Sequence, residues 1–491
     1  MSNIEYINFE LLNYIKSSNI KSLNELTSIF SENKIKIKYD INSNLAILSN
    51  GFRQNLNELQ SECRSLIIDK ETLEVICYTY DNILYNNDAK NEFLKSNPKD
   101  FVIQESFEGT LLSVFYYNDK WHISTRKCIN AKESKWNNKK SHYDMFLECL
   151  DFSFEKFTSY LKPDYNYFFV LVHHDNKHIV DYSKYFQDDK YKKIIHIMTR
   201  DRKTHKDINI NDSNQWKTNP NFRIPLVSND DDLNVNKLKK FINNEMEVNI
   251  PYNYDDFGNL DLTNTKNHFD LPIETEGLIV KIYDEKTNKV KILKFQTNCY
   301  QFMSILNPNT QNIYMGFVQL YKEDKLKLHL EYFPGNVKLN DIYDTIGVID
   351  ASFKVFTSEL FELFRYLYDL KNCSHKNSDF YKILSHEYTV VLYKIRGIYY
   401  KKKEKYIKNK IDSISMDNTY NYSLKIFDIY NLLKKEYDTI EMLNLFRARK
   451  EFIKKYRDSK YKNIISKISS RCEKIHLSMI DILCDKIYPD E

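Results

Sequence analysis

Glycine and proline are scarce in this chain of 491 residues, which has 8 of the first and 9 of the second. Each glycine that remains therefore carries weight, and two of them, Gly109 and Gly277, each follow a glutamate and lead into an apolar strand. The eight cysteines never fall at Cys-x-x-Cys spacing, and no secretory leader precedes them, so the expectation is a reduced intracellular protein without zinc. No apolar run approaches the roughly 20 residues that a membrane helix needs, which excludes a membrane partner of that kind. Nor is there a commanding charge: +4 is too small to announce nucleic acid. The length allows two or three domains with their own cores, so no disulfide or metal staple is required.

Charge is present, but unevenly. Residues 351–491 hold 28 Lys+Arg against 19 Asp+Glu, a balance of +9, and the remainder carries −5. A basic end on a mildly acidic body suits a phosphate-rich partner such as RNA; the bland reading is a solvated helical surface.

Periodicity divides the chain. A helical segment through Leu23, Leu26, Ile29 and Phe30 precedes strands at 34–39, 45–49, 62–69 and 75–80, an antiparallel beginning. Phe101 to Lys127 reads as three strands, with a tight Glu108-Gly109-Thr110 turn and an Asn118-Asp119 hairpin. A helix is expected over 140–162, a strongly apolar strand over 167–173, short extended chain at Ile179-Val180, and strands over 278–283 and 289–295. Polar loops are expected over 201–220, 229–232 and 249–267. After Gly335 the texture turns helical: between Gly347 and Pro489 there is no proline and a single glycine, Gly397. The expected division is 1–335 and 336–491.

Four features occur in one order: Arg64 at a strand start, Glu108-Gly109-Thr110, Glu274-Thr275-Glu276-Gly277 before an apolar strand, and the basic strand Lys289 to Lys294. That order resembles the covalent nucleotidyltransferases, in particular the RNA ligase branch and the N-terminal domain of T-even phage RNA ligase 1. Glu105-Ser106-Phe107-Glu108-Gly109-Thr110, Trp121 to Arg126, Phe169 to His173, the Asn307-Pro308-Asn309 turn and the basic run from Lys401 are similar to RNA ligase-like proteins of large DNA viruses of eukaryotes. The resemblance implies an α+β fold, with an antiparallel-sheet, ATP-grasp-like adenylation core followed by an all-helical C-terminal domain. It also implies ATP and magnesium as cofactors, and a viral protein of the cytoplasm, viral factory or virion.

The departures from the family pattern matter as much. The family's motif I lysine, which forms lysyl-AMP, aligns with Ser106, whose hydroxyl is not ionised near neutral pH without a dedicated base. The motif III glutamate aligns with Val170 or Leu171, and the second motif V lysine with Gln296. Arg64, Glu108, Gly109, Arg126, Glu276, Gly277, Lys281 and Lys294 match, and with Ser106 they form the expected nucleotide-binding set, Glu276 being the metal ligand. Three readings follow: a degenerate site that binds a nucleotide or RNA end without a covalent intermediate; an active ligase using a displaced lysine, Lys127 or Lys281; or a non-catalytic scaffold or virion protein. His173, His174 and His178 suggest a metal, but strand alternation is expected to put the first two on opposite faces.

Overall fold

The computed structural model describes all residues except 1–5, 51–55, 97, 99–100, 136–139, 151, 209–220, 224, 226, 229–237, 240–274, 285–286, 309, 311, 334–341, 370–373, 376–377, 413–422, 457–458, 470–476 and 489–491. The expected loops at 229–232 and 249–267, most of that at 201–220, and Glu274 lie outside the described residues. Within the rest, two compact units separate, one reaching Ser304 and the other beginning at Ile305. The helices Ile313–Lys322 and Leu326–Tyr332, expected on the N-terminal side of the division, bury Phe317, Val318, Leu326 and Leu330 with Phe353, Leu360 and Phe446 of the second unit.

The first unit opens with β1 (Ile35–Tyr39), β2 (Leu45–Asn50), β3 (Leu66–Asp69) and β4 (Val75–Cys77), which pair antiparallel in that order. Helix Leu23–Glu32 packs Leu26 and Phe30 onto this sheet's core. Arg64 does not begin a strand; helix Glu58–Glu62, capped by Asn57, takes up the residues ahead of it. Glu62 is fully buried and accepts from the backbone amides of Glu10 and Leu11 and from the Lys289 ammonium, so its residual charge is met from three sides.

Beyond β5 (Leu84–Tyr85) and β6 (Phe101–Ser106), the hairpin β7 (Thr110–Tyr117) and β8 (Lys120–Thr125) turns at Asn118 and Asp119, whose φ of 46° and 58° are those of a type I′ turn. Next come β9 (Tyr165–His173), β10 (Lys192–Asp201), β11 (Asp207–Ile208), β12 (Phe222–Arg223), β13 (Val227–Ser228), β14 (Gly277–Asp284) and β15 (Lys289–Gln296). They form two sheets, ordered β11-β10-β9-β7-β8 with β12 beside β10, and β13-β6-β14-β15-β5. Two-residue parallel pairings, β10 with β12 and β15 with β5, interrupt otherwise antiparallel ladders. The α+β class expected from the sequence is thus the one observed.

Two local expectations fail for stated reasons. The single helix over 140–162 is two, His142–Glu148 and Phe154–Ser159, because Ser141 and Ser153 each cap a new start by accepting from the amide three residues on. Ile179-Val180 forms no strand, since both amides donate to the Glu108 carboxylate. The ten residues of β10 form a strand that the sequence pattern did not announce, around the β-branched Ile194, Ile195 and Ile197.

Among its described residues, the regular structure of the second unit is helical apart from a two-residue ladder, Tyr368–Asp369 with Ser374–His375. The 26-residue helix Ile342–Leu367 forms its spine, burying Phe353, Phe356, Leu360 and Leu367 at helical spacing. No helix among the described residues is long and apolar enough to cross a membrane.

Candidate nucleotide site

Strand register brings two distant segments together. β6 runs antiparallel to β14 so that Ser106 lies opposite Gly277, and β15 on the other side of β14 places Gln296 opposite Gly277 and Lys294 opposite Ile279. Side chains two apart on a strand share a face. Ser106, Lys294 and Gln296 therefore emerge together beside Glu276, the residue just ahead of β14.

Both surviving glycines are explained by close approach. A Cβ on Gly277 would lie 2.0 Å from the Phe295 carbonyl oxygen, and its φ of 147° is a backbone conformation that side chains resist. A Cβ on Gly109 would meet the Leu171 carbonyl oxygen at 2.5 Å and Val170 Cγ1 at 2.7 Å. Val170 thus faces Gly109, whereas Leu171 is buried in the core. An aliphatic group occupies the face toward Gly109, and no carboxylate stands there.

Glu276 is the hub. It is 3% exposed; its Oε2 accepts from Ser106 Oγ at 2.9 Å, and its Oε1 takes the Lys294 ammonium at 2.6 Å and the Gln296 amide at 3.0 Å. Asn86 fixes Gln296 by accepting from its backbone amide at 2.9 Å and donating to its side-chain oxygen at 3.3 Å. Burial tends to lower the pKa of Lys294, but Glu276 more than offsets this, and the amine is held protonated.

Glu108 lies within electrostatic reach of this hub. Its carboxyl is pushed up to about 7 overall: burial raises it most, the amides of Val180 and Ile179 pull it down, and Glu276 adds to the rise. Its backbone amide donates to the Tyr182 hydroxyl at 2.6 Å, and its side chain is hydrogen-bonded to Tyr300. Arg64 joins through Tyr80: its guanidinium sits 4.8 Å from that ring's centre, and the same tyrosine acts electrostatically on Lys294. Arg64 Nη1 is buried without a hydrogen-bond partner.

The remaining expected residues are placed differently. Arg126 and Lys127 are exposed just after β8, whose last residue pairs with Leu112 near the start of β7. Lys281 shares the face of Ser106 but stands four residues along β14 from Gly277, roughly 13 Å at strand rise. Its ammonium donates to the Ile197 carbonyl at 3.2 Å. Neither lysine named as a substitute nucleophile is brought to Ser106 by these contacts. The basic strand is also neutralised throughout: Lys289 meets Glu62 and Asp81, Lys291 meets Glu92, and Lys294 meets Glu276.

As the expected magnesium ligand, the Glu276 carboxylate has about four lone-pair sites, of which three are engaged, one by an ammonium at 2.6 Å. His173 and His174 are not splayed apart as expected: β9 ends at His173, the rings stack at 4.6 Å, and with Asp175 they bring ligand atoms within 4.8 Å of one another. The Lys140 ammonium already bridges Asp175 and Glu148 there, at 2.8 and 2.7 Å.

No family profile matches the chain. Over 86 residues it is 35% identical to an immediate-early protein ICP-46 homologue of Invertebrate iridescent virus 3, covering 17% of this chain and 19% of that one. Over 104 residues it is 30% identical to a protein of Autographa californica nuclear polyhedrosis virus provisionally named bifunctional polynucleotide kinase/RNA ligase, covering 19% and 15%. The chain thus spans less than a fifth of the length of these relatives. Among solved structures, a provisionally assigned ATP-dependent DNA ligase from Aquifex aeolicus shares 13% identity at a TM-score of 0.38, over 66% of this chain and 76% of that one. An archaeal ATP-dependent RNA ligase shares 11% at 0.36, over 70% and 79%. Its structural neighbours are ATP-dependent ligases.

Sequence reasoning overlooked Asn86, Tyr80, Tyr182 and Gln296's bond to Glu276. Gln296 stood in a recognised motif position, so it was reachable. The tyrosines are two of 38 and carry no local signal.

Proposed function

We propose that this chain is an RNA ligase-like protein whose nucleotidyltransferase pocket binds a nucleotide or RNA end without forming a lysyl-phosphoramidate. The observation that carries the reading is the Ser106–Glu276–Lys294 cluster. The hydroxyl in the nucleophile position and the adjacent ammonium both face oxygens of one buried carboxylate. An amine must lose its proton to attack a phosphate, and Glu276 stabilises the protonated form of Lys294. Lys281, whose pKa burial lowers, is committed to a carbonyl farther along the strand. Arg64, with a nitrogen lacking an acceptor, is the group best suited to meet a ligand's phosphate. The match to a viral kinase/RNA ligase agrees with an RNA ligand.

The helical unit supplies backbone contacts in this reading. On helix His386–Asp412, Lys401, Lys405 and Lys408 are exposed, while Lys402 is tied to Asp428 at 2.6 Å. Tyr399, which precedes the lysine run, is buried and unavailable for stacking; Tyr393, 73% exposed, shares a helical face with Lys401 and Lys408.

Incubation with α-labelled ATP and magnesium, followed by denaturing electrophoresis, tests the proposal. No covalent band is expected from the wild-type chain, together with saturable, salt-sensitive retention of 5′-phosphorylated RNA. A covalently labelled band overturns it, and loss of the band in Lys127→Met, Lys281→Met or Lys294→Met identifies the nucleophile.

A further inference from the structure

Tyr85 leaves a large ring uncovered at the edge of the candidate nucleotide site. It is the second residue of β5 and is 36% exposed. β5 is the terminal strand of its sheet and runs parallel to β15, with Leu84 opposite Leu293 and Tyr85 opposite Lys294. Residues opposite one another in a ladder point to one face of the sheet, and their strand neighbours point to the other. Leu84 accordingly packs on the core that holds Leu293 and Phe295, while Tyr85 stands on the face of Lys294, Gln296 and Ser106.

The contacts agree with the register. The Lys294 ammonium lies 6.0 Å from the centre of the Tyr85 ring, and the ring acts electrostatically on Tyr300, which is hydrogen-bonded to Glu108. Asn86, the next residue along, is tied to Gln296 at 2.9 and 3.3 Å, so the backbone that carries the ring is fixed to the site. Tyr80 also acts on Lys294, but it is half-buried and has the Arg64 guanidinium over its ring at 4.8 Å. Of these two tyrosines beside the site, Tyr85 is the one that presents ring surface to solvent.

The neighbouring charge says what that surface offers. Lys294 is already paired with Glu276, so affinity at this edge comes from the ring and not from a net cation. Aromatic side chains set beside phosphate-binding groups hold single-stranded nucleic acid by stacking on its bases, and they do so without reading sequence, because every base has a π-face. A ligand with a phosphate but no base gains nothing from such a ring.

We propose that Tyr85 stacks on the terminal base of a single-stranded RNA end whose phosphate lies in the Glu276 pocket. This rests on the reading that the pocket binds an RNA end, and it names the residue by which a strand end is preferred to the same phosphate without its base.

Anisotropy titration of the full chain tests it with two 5′-phosphorylated oligoribonucleotides carrying a 3′ fluorophore, one complete and one abasic at its 5′-terminal residue. The wild type is expected to bind the complete strand about tenfold more tightly. Tyr85→Ala binds both strands alike, at the wild type's affinity for the abasic one, and keeps the wild-type dependence on salt, since no phosphate contact is lost. Tyr85→Phe and Tyr85→Trp restore the preference, which separates stacking from a defect in folding. Tyr39→Ala, at a tyrosine 47% exposed on β1, retains it as well. The proposal falls if the wild type binds both strands alike, if Tyr85→Ala keeps the preference, or if Tyr39→Ala loses it too. Wild-type binding to neither strand overturns the RNA-end reading of the pocket along with it, whereas equal binding to both leaves that reading standing and removes only the role of Tyr85.

Discussion

Replacing Glu276 by glutamine removes the charge at the centre of the candidate site while keeping its shape. Lys294 is then left 13% exposed, with its partner at 2.6 Å made neutral, although the amide oxygen still accepts from it or from Ser106. Removing one member of a buried ion pair typically costs 3–5 kcal/mol. Because an acceptor survives, Glu276→Gln is expected at the low end, about 3 kcal/mol. Adding Lys294→Met removes the stranded charge, so the double variant should lie within about 1 kcal/mol of the wild type, recovering about 2 kcal/mol of the single variant's loss. The three tryptophans, Trp121, Trp136 and Trp216, all precede Ser304, so their fluorescence in urea reports the first unit without the second. With a slope of about 3 kcal/mol/M, the single variant's midpoint falls by about 1 M. If the double variant is as unstable as the single, or the single loses less than about 1 kcal/mol, the ion pair does not organise the pocket.

Gly277→Ala should cost more than about 3 kcal/mol on the same fluorescence readout, because its Cβ meets backbone at 2.0 Å and φ is 147°. Glu108 carries a pH signature. Its folded pKa, about 7 against an ordinary 4.5, means that the folded state binds the extra proton. Its contribution to stability is complete below the unfolded value, falls as pH rises from about 4.5 to 7 by up to about 3 kcal/mol, and is flat above. Glu108→Gln should lack that slope in urea titrations from pH 4.5 to 8, and a slope of opposite sign in the wild type refutes the assignment. In the helical unit, Arg449→Met strands Glu359, which holds Arg449 at 2.7 and 2.8 Å in the interior. A loss of about 3–5 kcal/mol in the helical circular dichroism transition is expected, with the tryptophan signal unmoved.

Local stereochemistry was legible in the chain. Period-2 alternation located the strands from Phe101 to Thr125, Asn118-Asp119 specified its own turn, and the scarce glycines marked the two places where backbone meets backbone. These are statements about a residue and its immediate neighbours, for which sequence suffices. That Ser106 carries a hydroxyl, and that Val170 and Leu171 are both aliphatic, was equally readable, because side-chain chemistry travels with the letter.

What the letters did not contain was pairing across distance. Lys281 and Lys294 look alike in sequence on adjacent strands, yet register sends one ammonium to the Ile197 carbonyl and the other to Glu276. Arg200 bore no motif and is buried beside a cavity. His173 and His174 stack because the strand stops between them, a boundary that alternation cannot reveal. Whether a charged group is free for a ligand depends on which opposite charge the fold delivers within about 3 Å. Residue type determined the chemistry available in this protein, and only tertiary structure decided which of it is already spent.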